Sequence, residues 1–189
     1  MLLLDGHSLT ISDVAAVADG TVGVALAPAA RARMSATRGI VEGLAARGEA
    51  VYGVTTGFGK LSDIAIPPDQ LAQLQVNLVR SHAAGVGPRL PVPAVRAMML
   101  LRANVLAKGF SGARPELAEL LCGMLTHRLH PQVPEQGSVG ASGDLAPLAH
   151  LALALIGEGM LEHPAGIGPA DAVLRAYGLA PVQLGPKEG

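Results

Sequence analysis

The feature that most constrains this chain is a continuous apolar segment, Leu145–Ile156, in which His150 is the only polar residue. A helix that is apolar on every face has to be buried. The segment falls short of the roughly 18 uninterrupted apolar residues that a membrane span requires. We therefore expect other helices to surround this segment, and we do not expect the chain to cross a membrane.

Prolines mark the starts of the other predicted helices. Pro28, Pro93 and Pro115 each precede a segment of good helix formers or of apolar residues at helical spacing, and Pro67 and Pro68 precede another. Proline suits the first turn of a helix, where its missing N–H would have no intrahelical partner. The sequence shows no alternating pattern long enough for a sheet. We predict a mainly α fold with minimal strand, organised as a single domain over residues 1–189.

Composition excludes several classes of function. Fourteen Lys and Arg residues nearly cancel fifteen Asp and Glu residues, so no basic face is expected to bind nucleic acid. The single cysteine, Cys122, cannot form an internal disulfide, which agrees with a cytoplasmic location. His127 and His130 are three residues apart, but no nearby carboxylate or thiolate completes a metal site, and none is predicted.

A glycine-rich segment, Val51–Gly59, interrupts the helical pattern. It contains three glycines, which disfavour a helix, and two of the four aromatic residues of the chain, Tyr52 and Phe58. Tyr52 is either a packing residue beside a turn or a phenol that is presented to a small ligand. A phenol acts as a base only where its surroundings stabilise the phenolate, because its ordinary pKa is about 10.

A second segment of small residues contains Ala141, Ser142, Gly143 and Asp144 and leads into the apolar segment. A hydrolase nucleophile elbow requires Gly-x-Ser-x-Gly, and the spacing here is different. A phosphate-binding loop requires Gly-Lys-Ser/Thr, which is absent. From the residues alone, this is the start of a helix with Ser142 or Asp144 as its N-cap.

Three motifs together resemble the ammonia-lyase and aminomutase family that carries a methylidene-imidazolone group. GSVGASGDLAPLAH resembles the signature of this family, VYGVTTGFGK is similar to its tyrosine loop, and LQVNLVRSHAAGVG is similar to its substrate-selecting helix. The motifs follow the family's order and span most of the chain. The resemblance implies the N-terminal helical portion of the ammonia-lyase fold, with glycine-rich active-site loops.

The resemblance also implies an electrophile that is built from the chain itself. In this family the glycine amide nitrogen attacks the alanine carbonyl, and the loss of two waters leaves a methylidene group on the former serine. On this sequence Gly143 supplies the nitrogen, Ala141 the carbonyl and Ser142 the methylidene carbon. No metal or diffusible cofactor is expected. Tyr52 matches the base that removes the β-proton of the substrate.

The substrate implied by the resemblance is L-histidine, which would yield trans-urocanate and ammonia. His82 matches a substrate-contacting position, and Ser81-His82 resembles family members that take histidine. Thr55 departs from this pattern and is more similar to the phenylalanine enzymes. A phenylalanine or tyrosine ammonia-lyase, or an aminomutase, therefore stays open as an alternative.

Family members are much longer than the 189 residues of this chain and form homotetramers that share residues between subunits. The resemblance therefore implies an N-terminal portion that is C-terminally truncated relative to the family. We expect the isolated chain to be inactive and to associate. A catalytically silent helical fragment that serves association is the alternative from another class.

Overall fold

The computed structural model describes residues 1–141 and 143–189, without the side chain of residue 61. Helices make up 49% and strands 16% of the structure, so the predicted mainly α class is confirmed. The α-helices of the described residues are α1 (Ile11–Ala18), α2 (Pro28–Arg47), α3 (Leu71–His82), α4 (Val92–Ala107), α5 (Pro115–His127), α6 (Ala146–Leu155) and α7 (Ala170–Ala176).

The strands are short and lie mostly between the helices. They are β1 (Leu2–Leu4), β2 (Val24–Leu26), β3 (Val86–Arg89), β4 (His130–Pro131), β5 (Pro134–Gln136), β6 (Val139–Gly140), β7 (Gly143–Asp144), β8 (Met160–His163) and β9 (Gly166–Pro169). Among the described strands, β1 pairs with β2 in parallel. The pairs β3–β5, β4–β8, β6–β7 and β8–β9 are antiparallel.

This strand content exceeds what the sequence suggested. None of these strands is longer than four residues. A strand of that length has almost no room for an alternating pattern of buried and exposed side chains, which has a period of two residues. The pairings therefore depend on how the helices bring distant segments together, as in β4 and β8, and they leave little trace in the sequence.

The helix boundaries follow local sequence signals. α2 and α5 begin at Pro28 and Pro115, and α4 has Pro93 in its first turn. At its other end α2 stops at Gly48, whose φ of 66° lies in the left-handed region that glycine favours. α1 has a capping box in which the side chains of Thr10 and Asp13 each accept a hydrogen bond from the other residue's backbone N–H.

The main core forms where α4 packs against α1, α2 and α5. Its completely buried side chains include Val17, Met34, Met99, Leu100, Leu121 and Met124. Cys122 is also buried there, and burial raises the pKa of its thiol to about 12, so it acts as a small apolar side chain. No helix in the described parts of the chain has the length and apolar character needed to cross a membrane.

α6 contains most of the apolar segment that the sequence predicts to be fully buried, and this prediction is wrong for one face. Leu151, Ala154 and Leu155 are buried, but Leu148 is 37% exposed, as is the preceding Leu145 at 44%. The exposed face continues onto α4. The sequence correctly identified a helix with no polar face, but this chain covers only part of it.

Candidate functional site

A cavity of about 480 Å³ lies between α3, α4, α5 and α6 and is closed on one side by the last residues of the chain. Its wall is mainly apolar. The lining residues that carry polar or aromatic groups include Phe58, His82, Arg102, Ser111, Lys187 and Glu188. A cavity of this volume, with few polar groups on an apolar wall, has the character of a small-molecule site.

His82 lies at the C-terminal end of α3 and contributes its ring to the cavity wall. Its Nδ1 is 2.8 Å from the carbonyl oxygen of Leu78, and Ser81 Oγ lies 3.1 Å from the same nitrogen. A carbonyl oxygen only accepts, so this contact assigns the proton to Nδ1. In the neutral ring Nε2 is then the acceptor nitrogen, and no hydrogen-bond partner for it occurs among the described residues.

The Val51–Gly59 loop is held together by its own backbone and threonine hydroxyl groups. Thr55 and Thr56 are both buried. The Thr55 hydroxyl donates to the carbonyl of Glu49 and accepts from the N–H of Val51 at 2.9 Å. The hydroxyl of Thr55 is therefore used inside the loop and is not directed towards a ligand.

The two aromatic rings of this loop have different positions. Phe58 lines the cavity, whereas Tyr52 is 59% exposed and is not part of the described cavity wall. Their ring centroids are 6.0 Å apart with an edge-to-face interplanar angle of 76°. Gly53 allows this approach, because its φ is +68° and a Cβ there would lie 3.3 Å from the Phe58 ring. Tyr52 is thus linked to the cavity through Phe58.

The segment that contains Ala141 and Gly143 forms a small hairpin in front of α6. Gly140 and Gly143 face each other as paired residues of β6 and β7, and both Ala141 and Gly143 are exposed. Gly143 has a φ of +90°, which an L-residue rarely adopts. Ser142, the predicted source of the methylidene carbon, lies outside the described residues.

Asp144 fixes this hairpin to the start of α6. Its Oδ1 accepts a hydrogen bond of 3.1 Å from the N–H of Ala146. Gly137 leaves space for the carboxylate, since a Cβ on that glycine would lie 2.0 Å from Oδ1. Leu145, the next residue, lines the cavity. Within the described chain, His82, Phe58 and Leu145 therefore line one cavity. Tyr52, Ala141 and Gly143 lie outside its lining.

Sequence reasoning missed Glu188, whose side chain is completely buried beside the cavity. Arg114 contacts this carboxylate at 2.6 Å and Arg38 at 3.4 Å, and the N–H of Gly185 donates to it at 2.7 Å. Hydrogen bonds from Arg114 and Gly185 outweigh desolvation and keep the pKa of Glu188 below its usual value. One available signal was that Glu188 is the only acidic residue after Asp171.

Arg102 lies on α4 and lines the cavity. The Arg102 residue is exposed at the cavity rim, and no carboxylate of the described residues lies within ion-pair distance of its guanidinium. Desolvation lowers the pKa of Arg102. Arg102 lies between the cavity and the exposed apolar side of α4.

His130 is part of a buried polar cluster in the core, in which its Nδ1 has no hydrogen-bond partner among the described residues. Buried Arg96 approaches His130 Nε2 at 3.0 Å and donates to the carbonyls of Val17 at 2.7 Å and Leu125 at 3.0 Å. Over residues 1–141 and 143–189, no group of three or more His, Cys, Asp or Glu side chains could hold a metal ion. His127 instead packs its ring against Tyr177.

Comparison with known proteins agrees with this arrangement of motifs. Over its whole length the chain is 56% identical to a histidine ammonia-lyase of Anaeromyxobacter sp. (strain K), of which it spans 38%. Its fold matches a histidine ammonia-lyase from Trypanosoma cruzi with a TM-score of 0.90 at 39% identity, covering 99% of this chain and 36% of that one.

A further solved structure, an ergothioneine-degrading enzyme from Treponema denticola, matches with a TM-score of 0.94 at 36% identity, covering 100% of this chain and 38% of that one. The chain thus spans little more than a third of the length of its relatives. The family described as "Aromatic amino acid lyase" matches residues 9–189, which include the tyrosine loop, His82 and the 141–144 hairpin. This match covers nearly the whole chain and establishes that the chain belongs to the aromatic amino acid lyase family.

Proposed function

We propose that the full-length protein is a histidine ammonia-lyase that converts L-histidine to trans-urocanate and ammonia. The observation that carries the proposal is His82 on the cavity wall, with Nδ1 occupied by its own helix and Nε2 left as an acceptor. A substrate imidazole N–H is a suitable donor to that nitrogen. The 56% identity to a histidine ammonia-lyase supports the same substrate.

The electrophile proposed for this reaction is the methylidene-imidazolone formed from Ala141, Ser142 and Gly143. Gly143 fits this role, because its φ of +90° lies in the left-handed region that favours glycine. The hairpin that contains Gly143 leads into the N-terminus of α6, where the helix dipole favours developing negative charge. The group would supply an electron-poor carbon to which the substrate amine adds.

Tyr52 is the proposed base that removes the β-proton. Its ring is exposed and is oriented by the edge-to-face contact with Phe58, and no partner for its hydroxyl is found among the described residues. The hydroxyl is thus unengaged, and it would act as a base where other parts of the full-length protein stabilise its phenolate.

Thr55, which is more similar to the phenylalanine enzymes, does not argue against histidine as the substrate. Its hydroxyl bonds to backbone groups at the start of the loop. His82, by contrast, presents a polar nitrogen at the cavity. A hydrogen-bonding group in the site rejects a substrate that cannot pair with it far more strongly than an apolar wall rejects a close analogue. A phenylalanine or tyrosine lyase, or an aminomutase, therefore ranks behind histidine ammonia-lyase.

We further propose that residues 1–189 form one N-terminal domain of a cytoplasmic homotetramer. The exposed apolar face supports association: Leu101 and Val105 of α4 are each 48% exposed beside Leu148 of α6. At about 25 cal/mol per Å², a few hundred Å² of uncovered apolar surface is worth several kcal/mol. Sedimentation of the 189-residue chain should show association, and an absorbance assay for urocanate should show no lyase activity. A dilute active monomer would contradict this view and also the silent-fragment alternative.

The test of the proposed function is a substrate panel on the full-length protein, followed by urocanate absorbance and ammonia release. L-Histidine should react with the highest kcat/KM, and phenylalanine, tyrosine and ergothioneine should be poor substrates. Peptide mass spectrometry of residues 137–150 should show the loss of two waters. An active enzyme with an unmodified Ala141–Gly143 segment would overturn the electrophile, and a preference for phenylalanine would overturn the substrate.

A further inference from the structure

A hydrogen bond behind the cavity wall joins the two helices that carry the candidate site. His150 lies on α6, and its Nε2 accepts from the backbone N–H of Gly85 at 3.1 Å. Gly85 follows His82 by three residues, in the short connection between α3 and β3. The contact therefore bridges the helix that follows the 141–144 hairpin and the loop that follows His82.

The bridge is closely packed. A Cβ on Gly85 would lie 3.1 Å from His150 Nε2 and 3.2 Å from Pro134 Cβ, so glycine allows the imidazole to reach the backbone. Because a backbone N–H only donates, Nε2 has to accept, and His150 is neutral with its proton on Nδ1. Burial lowers the pKa of His150 and favours the same neutral form.

The position of this bond relates it to the site. Leu148, Ala149 and Leu151, the neighbours of His150 on α6, line the cavity together with His82. His150 itself is not among the lining residues of the described chain, so it acts from behind the wall. The loop after His82 is fixed to α6 by this bond, while the ring of His82 is held from within α3 by Leu78.

We infer that His150 is a positioning residue that sets the place of His82 in the cavity by holding the N–H of Gly85. This inference rests on the proposed function, because its effect is on histidine binding. His150 needs no contact with the substrate. Loss of the acceptor would free the loop between α3 and β3 and let His82 move relative to α6.

The test compares His150→Leu with His150→Gln in the full-length enzyme. Leucine removes the acceptor, whereas the glutamine side-chain oxygen can reach a place close to that of Nε2. His150→Leu should lower kcat/KM for histidine about tenfold, the order expected for one lost hydrogen bond at a site, and mainly through KM. His150→Gln should stay within about threefold of the wild type. His163→Leu is the matched control, since His163 is also half-buried but lies outside the cavity wall.

Amide hydrogen exchange of the peptide that contains Gly85 gives a readout without turnover. Exchange at Gly85 should be faster in His150→Leu, and as slow as in the wild type in His150→Gln. Equal impairment of both variants, or an unchanged KM with unchanged exchange in His150→Leu, would overturn the positioning role. Wild-type enzyme without activity on histidine would instead overturn the proposed function, so the two failures are distinguishable.

Discussion

Two histidines in apolar helical surroundings, His130 and His82, have opposite environments. In the Arg96–His130 cluster, which also includes the carbonyls of Val17 and Leu125, Arg96 contacts His130 Nε2 at 3.0 Å. At the cavity, His82 uses Nδ1 within its own helix and leaves Nε2 as an acceptor. Each ring therefore has one nitrogen engaged by the fold and one without a partner among the described residues. What differs is where that nitrogen lies: Nδ1 of His130 is enclosed in the core, whereas His82 is on the cavity wall.

The difference also separates stability from activity. The Arg96–His130 cluster is buried, so the three hydrogen bonds of Arg96 form inside the protein, and their loss destabilises the fold. On the cavity side, the Tyr52 hydroxyl and His82 Nε2 have no partner among the described residues. Their loss should therefore affect the binding or turnover of a ligand. The following predictions test that separation.

The largest expected effect is on the cavity side. Tyr52→Phe removes one exposed hydroxyl, and turnover of the full-length enzyme should fall by roughly two to four powers of ten. The thermal midpoint should be unchanged, because the edge-to-face contact with Phe58 is kept. Steady-state kinetics and a thermal melt measure the two quantities. A kcat close to the wild-type value would assign Tyr52 to packing.

On the core side, Arg96→Met should lower the free energy of unfolding by about 3 kcal/mol, since three hydrogen bonds from a charged donor are lost. Urea denaturation measures this change. Arg31→Met is the control: Arg31 is half exposed and pairs with Glu119 at 2.7 Å, and its loss should cost less than about 1 kcal/mol. Equal costs for the two variants would remove the distinction between a buried cluster and a surface pair.

Acid should destabilise the core side through His130. Desolvation, followed by the charges of Arg96 and Arg128, lowers the pKa of His130 from 6.5 to about 4. Above pH 6.5 His130 is neutral in both the folded and unfolded states, so its contribution to the free energy of unfolding is fully present. As the pH is lowered from 6.5 to 4, only the unfolded state gains the proton. The free energy of unfolding therefore decreases, by up to about 3 kcal/mol.

The check is the pH dependence of urea unfolding in the wild type and in His130→Gln. The difference between the two curves should change across pH 4 to 6.5 and be flat above it. Parallel curves would show that His130 titrates normally in the folded chain.

The smallest expected effect is on selectivity. His82→Leu in the full-length enzyme should lower the ratio of kcat/KM for histidine over phenylalanine at least about tenfold, because the substrate imidazole loses a polar partner. His127→Leu, which removes an exposed histidine packed on Tyr177, should leave the ratio unchanged. An unchanged ratio in His82→Leu would place His82 with His130 as a structural residue.

Local signals predicted most of the helical framework and the motifs of the candidate site. Pro28 and Pro115 begin helices as expected, because the proline ring and the first helical turn require the same backbone angle. Gly53 and Gly143 adopt positive φ values within the two glycine-containing segments that the sequence singled out. These properties depend on a residue and its immediate neighbours, so the sequence carries them directly.

The tertiary structure decided which polar groups have partners. Thr55 resembles a substrate-selecting residue in the sequence, but its hydroxyl bonds within its loop. Glu188 is paired with Arg38 of α2 and with Arg114, the residue before α5, both far from it in the sequence. His150 looks like an isolated polar residue in an apolar segment, and only the packing of α3 against α6 supplies its partner, the N–H of Gly85. By itself the sequence determined where helices begin and where glycine loops interrupt them, because backbone preferences act over a few residues. Hydrogen bonding and desolvation depend on segments far apart in the chain, so only the folded arrangement could distinguish His82 from His130.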